Sequence, residues 1–272
     1  MSPLTAIVTG ANQGIGLEIA RKLAQHANTR IVMAARSEEK GRTAQAQVQA
    51  DAAAGSEVLL HQLDITDSGS IARFAEWAEQ ELHTVDVLVN NAGFAFKGNA
   101  FGAEEAQQTI GVNFRGTANV TEALLPLIPD GGRIINVGSS AGKLSIVKDI
   151  TLRERFERAA RREELEKLCD NFVDAIRLGK HSQEGWPSSM YGISKLALNQ
   201  YGRVLAQQLQ PRGIMVATVC PGYCSTSMSS FGGSQSAEAG ADTPAWLAVE
   251  VPAAEAMSKS GRFFRDRKEE PF

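Results

Sequence analysis

Strand-like and helix-like segments alternate along almost the whole chain of 272 residues, and this alternation constrains the fold more than any other feature. Short apolar runs alternate with longer segments in which apolar residues recur every three or four positions. Parallel strands need helical crossovers of this kind, so the pattern predicts an α/β fold: a doubly wound parallel sheet with helices on both faces. We expect about seven strands, at residues 4–8, 30–34, 58–63, 85–89, 133–137, 215–219 and 261–264.

The chain is predicted to form a single domain, residues 1–272, because no linker, repeat or low-complexity segment interrupts the alternation. Roughly 50 residues separate the fifth strand from Tyr191, far more than a strand-to-helix connection usually has. This predicted helical insertion, at about 143–187, carries an apolar stripe of Leu165, Leu168, Phe172 and Ile176 on an otherwise charged helix. The stripe predicts a helix packed on its own subunit. Whether it also shapes a ligand entrance or blocks a dimer face stays open.

Composition and charge narrow the classes of partner. The formal net charge is −3, so the chain lacks the basic excess that binds nucleic acid. No apolar run approaches the ~20 residues that cross a membrane, and the first strand begins too early to expect a signal peptide. Three cysteines and four scattered histidines predict neither a disulfide framework nor a metal site. We therefore expect a cytoplasmic protein without a metal.

A glycine-rich turn follows the first predicted strand and opens a helix, reading Thr9-Gly10-Ala11-Asn12-Gln13-Gly14-Ile15-Gly16. Glycines in this context allow a tight turn and a close backbone approach to a dinucleotide pyrophosphate, which rests on the N–H groups of the helix N-terminus. The residues predicted to bind a dinucleotide are therefore Gly10, Asn12, Gln13, Gly14, Ile15 and Gly16. An ordinary strand-to-helix turn is the structural alternative.

The end of the second strand indicates which dinucleotide binds. A carboxylate at this point usually accepts a hydrogen bond from the ribose 2′-hydroxyl of NAD. This chain has Arg36 and Ser37 there instead, and a guanidinium forms charge-assisted hydrogen bonds with the 2′-phosphate of NADP. The pattern favours NADP(H), with a solvated surface arginine as the alternative interpretation of Arg36.

Two further strand ends contribute candidate cofactor contacts. Asp64 and Ile65 follow the third strand and are predicted to contact the adenine, although Asp64 is equally interpreted as a helix or turn cap. The fourth strand ends in Asn90-Asn91-Ala92-Gly93, at the sheet edge where α/β proteins bind ligands. The small residues there let a cofactor ribose approach the backbone, so we assign Asn90, Ala92 and Gly93 to cofactor binding.

A tyrosine and a lysine lie one helical turn apart in Tyr191-Gly192-Ile193-Ser194-Lys195. Reducing a carbonyl requires a proton for the developing alkoxide, and a phenol with a pKa of ~10 needs help at neutral pH. Lys195 shares the helix face of Tyr191, so we expect it to lower the phenol pKa and to contact the nicotinamide ribose. Ser139, after the fifth strand, is predicted to hydrogen-bond the substrate oxygen.

Asn113 is a polar residue in an apolar register of the long helix predicted over about 104–127. Two interpretations stay open for it. It holds a water that relays protons to Lys195, or it bends its helix.

Together these motifs resemble the short-chain dehydrogenase/reductase family over nearly the whole chain. The resemblance rests on TGxxxGIG at 9–16, NNAG at 90–93, YxxxK at 191–195 and Pro221-Gly222. Finer features at 90–97, 122–128 and 184–189, with the long insertion, are similar to the monomeric NADPH-dependent carbonyl reductases. The resemblance implies one Rossmann-type domain, NADPH/NADP+ as cofactor, and a monomer, because the insertion covers the helices that pair subunits in related tetramers.

The resemblance also implies roles for individual residues. The catalytic set is Asn113, Ser139, Tyr191 and Lys195, and further cofactor contacts are Tyr191, Lys195, Pro221, Gly222 and Thr226. Cys220 matches a cysteine linked in that family to glutathione binding, with a buried thiol at a strand end as the alternative. Two positions depart from the family: Gln13 replaces a basic residue of many NADP-dependent relatives, and Tyr223 replaces a frequent pocket tryptophan.

The sequence therefore predicts NADPH-dependent reduction of ketones, aldehydes or quinones to alcohols, with Tyr191 as proton donor. The residues expected to contact this small-molecule carbonyl substrate are Phe94, Ala141, Trp186, Tyr223 and Met228. Two alternatives remain: a dedicated biosynthetic ketone reductase of the salutaridine/menthone reductase type, and a non-catalytic NADPH-binding redox sensor. The glycine spacing does not fit a sugar-nucleotide epimerase of the extended family.

Overall fold

The computed structural model describes residues 2–271, and their strands form one sheet. The strands are β1 Leu4–Thr9, β2 Thr29–Ala35, β3 Glu57–Gln62, β4 Val87–Asn90, β5 Arg133–Val137, β6 Met215–Val219, β7 Phe263–Arg265 and β8 Lys268–Glu270. They are arranged in the order β3-β2-β1-β4-β5-β6-β7-β8. Strands β1 to β7 run parallel, and β8 runs antiparallel to β7. The predicted parallel α/β sheet is confirmed.

The prediction of about seven strands missed β8. This strand pairs with β7 through a two-residue turn, Asp266 and Arg267, whose φ angles are 51° and 57°. Such angles suit the primed turns of tight hairpins, which usually contain asparagine or glycine. Asp-Arg carries no such signal, and the charged Lys268–Glu270 shows no apolar alternation. The eighth strand therefore cannot be predicted from the hydrophobic pattern.

Helices cover both faces of the sheet, and none within residues 2–271 is long and apolar enough to cross a membrane. They are α1 Gly14–Ala24, α2 Glu38–Ala50, α3 Ser68–Glu81, α4 Ala103–Ile110, α5 Thr117–Leu124, α6 Ile150–Arg158, α7 Arg162–Arg177, α8 Met190–Leu209, α9 Ala237–Gly240, α10 Asp242–Ala245 and α11 Ala253–Lys259. Alternate strand residues feed two separate cores. Ile7 and Ile134 face the core with α3, α4, α5 and α8, whereas Val8 and Ile135 face the core with α1 and α2.

The order of the strands places a ligand site. Strand β1 pairs with β2 on one side and with β4 on the other, so the order of the strands reverses between β1 and β4. Open α/β sheets bind ligands in the crevice that this reversal leaves at the carboxyl ends of the strands. The segments after β1, β4 and β5 therefore converge on one edge of the sheet.

The long helix predicted over about 104–127 is divided. Helix α4 leads into a π turn, Gly111–Gly116, which is followed by α5 and a short 3₁₀ turn, Leu125–Leu127. Asn113 lies inside the π turn. Its predicted effect on helix geometry thus has a counterpart in the structure, because π turns widen a helix locally.

The insertion before Tyr191 forms α6 and α7. The stripe on α7 is buried at Leu165, Leu168 and Phe172, while Ile176 is partly buried against the same core. Helix α7 packs on α4 and α8 of its own subunit, as the stripe predicted. An ion pair between Arg162 and Glu122, 2.6 Å apart, adds a polar contact between the insertion and α5.

Trp186 lies in this insertion core and not at a substrate pocket, so its predicted contact with substrate is wrong. Its ring lies 5.5 Å from that of Phe172 and 6.2 Å from that of Phe156, and the residue is only 5% exposed. The indole closes the core of α6 and α7 because its large apolar surface is better buried than exposed.

The insertion core generates a stability prediction. Replacing Phe172 with alanine leaves a cavity beside Trp186, and such truncations cost about 3 kcal/mol of unfolding free energy. Leu178→Ala is the matched control, because Leu178 lies one residue beyond α7 and is 65% exposed. Urea unfolding of both variants checks this: equal stability losses would mean that the insertion core contributes little.

Candidate active site

A cleft opens at the edge of the sheet where the strand order reverses, and most predicted cofactor residues line it. The lining residues from that prediction are Gly10, Asn12, Gln13, Gly14, Ile15, Gly16, Arg36, Ser37, Asp64, Ile65, Ala92, Gly93 and Thr226. They come from the ends of four strands and the loop after β6. The sequence motifs that lie far apart in the chain are therefore brought to one site.

The glycine turn has the shape that a pyrophosphate needs. Gly10 and Gly14 have φ angles of 65° and 55°, which side-chain-bearing residues seldom adopt. A Cβ on Gly16 would lie 2.3 Å from Nδ2 of Asn91, so no side chain fits there. Gln13, at the start of α1, makes no side-chain cap, which leaves the first helical N–H groups facing the cleft for an anion. These residues fit a dinucleotide.

Thr9 and Asn91 hold the ends of β1 and β4 together, and neither was predicted as a site residue. The Thr9 hydroxyl accepts hydrogen bonds from the backbone N–H groups of Asn91 and Ala92, both 3.0 Å away. The Asn91 amide donates to the Thr9 carbonyl at 2.9 Å. The available signal was their position directly beside the glycine turn and within the NNAG segment.

Asn90, predicted to bind the cofactor, does not line the cleft. It is 3% exposed, and its amide donates to Thr121 and to Asn136, both at 2.9 Å. The side chain alternates to the interior of the sheet, so it connects β4 with α5 and β5. Its contribution to the site is to fix the end of β4.

Two cationic side chains line the cleft beyond the end of β2. Arg36 is exposed at the end of β2, and Lys40, one turn into α2, lines the cleft beside it. Ser37 caps α2 by accepting a hydrogen bond from the Lys40 N–H. Lys40 was missed, although its spacing of four residues from Arg36 could have indicated it. The pair can neutralise a phosphate.

The turn-cap interpretation of Asp64 is confirmed, and its contact with the adenine stays a prediction. It lines the cleft, and its carboxylate accepts hydrogen bonds from the backbone N–H and the hydroxyl of Thr66, at 2.9 and 2.7 Å. The carboxylate therefore also caps the turn before α3. Ile65, its neighbour, is buried, with part of its surface on the cleft wall.

Tyr191, Lys195 and Ser139 come together at the end of β5. Helix α8 begins after Ser189, whose hydroxyl caps it, and carries Tyr191 and Lys195 in its first two turns. The Lys195 ammonium lies 5.9 Å from the centroid of the Tyr191 ring and donates to the Val137 carbonyl at 2.8 Å. The Ser139 side chain is hydrogen-bonded to the Tyr191 phenol. The three groups form a compact polar constellation.

Burial dominates the titration of this constellation. It raises the pKa of Tyr191 to about 12, and the hydrogen bond from Ser139 only partly opposes the rise. It lowers the pKa of Lys195 to about 8. The net shift of the phenol pKa is therefore upward and not downward as expected, because burial outweighs any effect of the neighbouring cation. At neutral pH the phenol keeps its proton, which suits a proton donor.

The Asn113 amide hydrogen-bonds the backbone of Phe94 and a side chain of α8. Its Oδ1 accepts from the Phe94 N–H at 2.7 Å, and its Nδ2 donates to the Phe94 carbonyl at 2.8 Å. Nδ2 also donates to the Ser194 hydroxyl at 2.9 Å. All the donors of this amide are thus engaged within the protein. The water-holding role of Asn113 stays a prediction.

Of the predicted substrate residues other than Trp186, two line the cleft and two lie at exposed positions outside its lining. Phe94 and Met228 line the cleft, and the Phe94 ring makes an edge-on contact with Phe96 at 4.8 Å. Ala141 is exposed and donates its N–H to the Ser139 hydroxyl. Tyr223 is 59% exposed on the loop after β6.

The loop after β6 reaches across to the glycine turn. It begins with Pro221 and Gly222, whose φ is 82°, and continues to Thr226, whose methyl would lie 3.4 Å from a Cβ on Gly14. The Gln13 amide donates to the Ser227 hydroxyl at 3.2 Å. Gln13, the departure from the family, therefore connects the glycine turn with this loop.

The Cys220 thiol lies close enough to Tyr191 and Lys195 to interact electrostatically with both groups. Cys220 is 6% exposed at the end of β6, which matches the alternative of a buried thiol. Within residues 2–271, no three His, Cys, Asp or Glu side chains are grouped so as to hold a metal ion.

Comparison with known families is decisive on membership. The short chain dehydrogenase family model matches residues 4–150, from β1 through the start of the insertion. A second family model, enoyl-(acyl carrier protein) reductase, matches residues 176–256. The chain belongs to the short-chain dehydrogenase family. The first model spans the glycine turn and the NNAG segment, and the second spans the Tyr-Lys pair.

The alignments with similar members of this family cover almost the whole chain. Carbonyl reductase [NADPH] 1 of Mus musculus is 41% identical, over 98% of this chain and 98% of that protein. Carbonyl reductase [NADPH] 3 of Rattus norvegicus is 38% identical, over 96% of each. Among solved structures, salutaridine reductase from Papaver somniferum has 30% identity and a TM-score of 0.86, covering 96% of this chain and 99% of that one. Menthone neomenthol reductase from Mentha piperita has 28% identity and a TM-score of 0.82, covering 97% and 99%.

The buried lysine generates a pH prediction. Its pKa is about 8 in the folded protein, against 10.5 for an ordinary lysine, so the unfolded chain binds more protons between these values. Stability conferred by this site therefore rises with pH in that window. We expect the unfolding free energy of the wild type, relative to Lys195→Met, to increase by about 2 kcal/mol between pH 8 and 10.

Denaturant unfolding at several pH values measures this difference, and Lys180→Met serves as the control because Lys180 is exposed. A difference that stays flat with pH for Lys195→Met would contradict the assigned burial of the charge.

Proposed function

We propose that this protein reduces ketones, aldehydes or quinones to alcohols with NADPH, using Tyr191 as the proton donor. The observation that carries the proposal is the partly buried phenol of Tyr191, hydrogen-bonded to Ser139, with the Lys195 ammonium beside it. The names of the mammalian relatives, carbonyl reductases with NADPH, support both the reaction and the cofactor. The alignments cover nearly the full length of both chains, so they support assigning this reaction to the whole chain.

The residues divide the work as follows. NADPH supplies the hydride that reduces the carbonyl carbon. The glycine turn and the uncapped N-terminus of α1 hold the pyrophosphate, and Arg36 and Lys40 neutralise the 2′-phosphate. Ser139 and Tyr191 orient the carbonyl oxygen, and the phenol proton passes to that oxygen as charge develops there. Lys195 stabilises the phenolate left behind.

A dedicated biosynthetic ketone reductase is the second candidate. The observation that favours it is structural, since salutaridine reductase and menthone neomenthol reductase align over nearly all of this chain. The same constellation serves both candidates, and the preferred substrate separates them. A non-catalytic NADPH sensor is less well supported, because binding alone would not need a partly buried phenol next to a serine and a lysine.

We also propose that the protein is a cytoplasmic monomer. Support for the monomer comes from α7, which covers the outer side of α4 and α8 in its own subunit. The three thiols, Cys169, Cys220 and Cys224, are free and buried, as is usual in a reducing compartment. A glutathione contact near Cys220 stays a prediction.

Replacing Tyr191 with phenylalanine tests the reaction. We expect turnover to fall at least about 100-fold, because a general acid contributes on that order, while NADPH binding stays within about twofold. NADPH oxidation at 340 nm with a quinone, a diketone, an aromatic aldehyde and a monoterpene ketone measures turnover. Cofactor fluorescence measures binding. Unchanged turnover in Tyr191→Phe would rule out the proposed donor.

The cofactor preference is tested at Arg36 and Lys40. We expect Arg36→Ala and Lys40→Ala each to raise the KM for NADPH about tenfold, the value of one charge-assisted hydrogen bond, and to leave the KM for NADH nearly unchanged. Arg42→Ala is the control, since Arg42 lies on α2 with Lys40 but forms an ion pair with Glu38. Equal effects on NADPH and NADH would place the 2′-phosphate elsewhere.

A further inference from the structure

Helix α8 presents a third polar residue in line with the tyrosine and the lysine. Tyr191, Lys195 and Asn199 are spaced four residues apart, so they share one face of the helix. Asn199 is fully buried, with 0% exposure, and it is not among the residues that line the cleft. A buried amide is costly unless its hydrogen bonds are made, so its partners show what it is for.

Both carbonyls that accept from Asn199 belong to the turn that carries Ser139. Its Nδ2 donates to the Ser139 carbonyl at 3.1 Å and to the Gly142 carbonyl at 3.0 Å. These two carbonyls lie at the first and last residues of that turn. On the other side, a Cβ on Gly138 would lie 2.2 Å from Oδ1 of Asn199. The amide is therefore enclosed by the segment 138–142.

The turn rests directly on the backbone of α8. A Cβ on Gly142 would lie 2.4 Å from the Lys195 carbonyl carbon and 2.5 Å from the Leu196 nitrogen, so only glycine allows this contact. Gly142 contributes no side chain to this contact that could interlock with the helix. The two hydrogen bonds from Asn199 are directional, and they fix the place of the turn along α8.

We propose that Asn199 is a positioning residue that acts through Ser139. It holds the Ser139 turn at the height on α8 at which the serine hydroxyl meets the Tyr191 phenol, while touching neither substrate nor cofactor. This inference rests on the proposed reduction. Helix α8 would then have a second role besides carrying Tyr191 and Lys195. It would set the distance between the Tyr191 phenol and the Ser139 hydroxyl that orients the carbonyl.

A double-mutant cycle tests whether Asn199 acts through Ser139. We expect Asn199→Ala to lower kcat about tenfold, the value of one neutral hydrogen bond, and to leave the affinity for NADPH within about twofold. In a Ser139→Ala background the same substitution should change the residual kcat by less than about twofold, because the group that it positions is gone. Asn199→Leu, close in volume but without donors, gives the same readings if the alanine variant does not fold.

Gln200→Ala is the matched control. Gln200 is also a buried amide on α8, 1% exposed, but its Oε1 accepts a hydrogen bond from Arg203 of the same helix and not from the Ser139 turn. We expect it to lower the melting temperature as much as Asn199→Ala does while kcat stays near the wild-type value. If Asn199→Ala and Gln200→Ala lost kcat equally, Asn199 would act only through stability.

A measurement without substrate separates this inference from the proposed reaction. The chain has three tyrosines, so a protein labelled with ¹³Cζ-tyrosine gives three resonances, assigned through Tyr→Phe variants. Asn199→Ala should shift the Tyr191 resonance by about as much as Ser139→Ala does, and Gln200→Ala should not shift it. That result supports the positioning role even if the wild type reduces no carbonyl. An unshifted Tyr191 resonance, or an equal loss of kcat with and without Ser139, would overturn it.

Discussion

The close approach of β1 and β4 at their carboxyl ends is the constraint on which the site depends. The Thr9 hydroxyl and the Asn91 amide hold these two strand ends together, and Gly16 has no space for a side chain because Asn91 lies against it. The N-terminus of α1 is therefore fixed over the point where the strand order reverses. Without this contact the free N–H groups of α1 would not face the cleft, and no anion would be held there.

A second constraint is the burial of polar groups along α8. Tyr191 is partly and Lys195 almost fully removed from water, so the phenol is harder to ionise and the ammonium is harder to keep charged. The hydrogen bond from Lys195 to the Val137 carbonyl offsets part of that desolvation. The consequence is a donor that stays protonated until charge develops on a bound oxygen, in surroundings of low dielectric where a nearby cation acts strongly.

The sequence allowed the sheet and the centre of the site to be predicted, because both depend on local patterns. Apolar runs marked seven of the strands, and glycine and Tyr-x-x-x-Lys spacings marked the residues that converge. Asn90 and Trp186 were misplaced because their type and neighbours do not show which way a side chain points. Asn90 turns into the sheet, and Trp186 closes the insertion core. The hydrogen-bond partners of Asn91 and Asn199 are tertiary contacts that no local pattern contains, whereas the spacing of Lys40 from Arg36 could have indicated its place.

Asn113 shows how a local irregularity connects the wall of the pocket to the catalytic helix. In the π turn, the chain makes one wider turn, which costs regular helical hydrogen bonds. The Asn113 side chain binds both the backbone of Phe94 and the hydroxyl of Ser194, and Ser194 donates in turn to the Tyr191 carbonyl at 2.8 Å. The aromatic wall at Phe94 is thereby joined to the residue pair on α8 by buried hydrogen bonds. Because such bonds are directional, the position of the wall relative to the proton donor is set by the fold before any substrate binds.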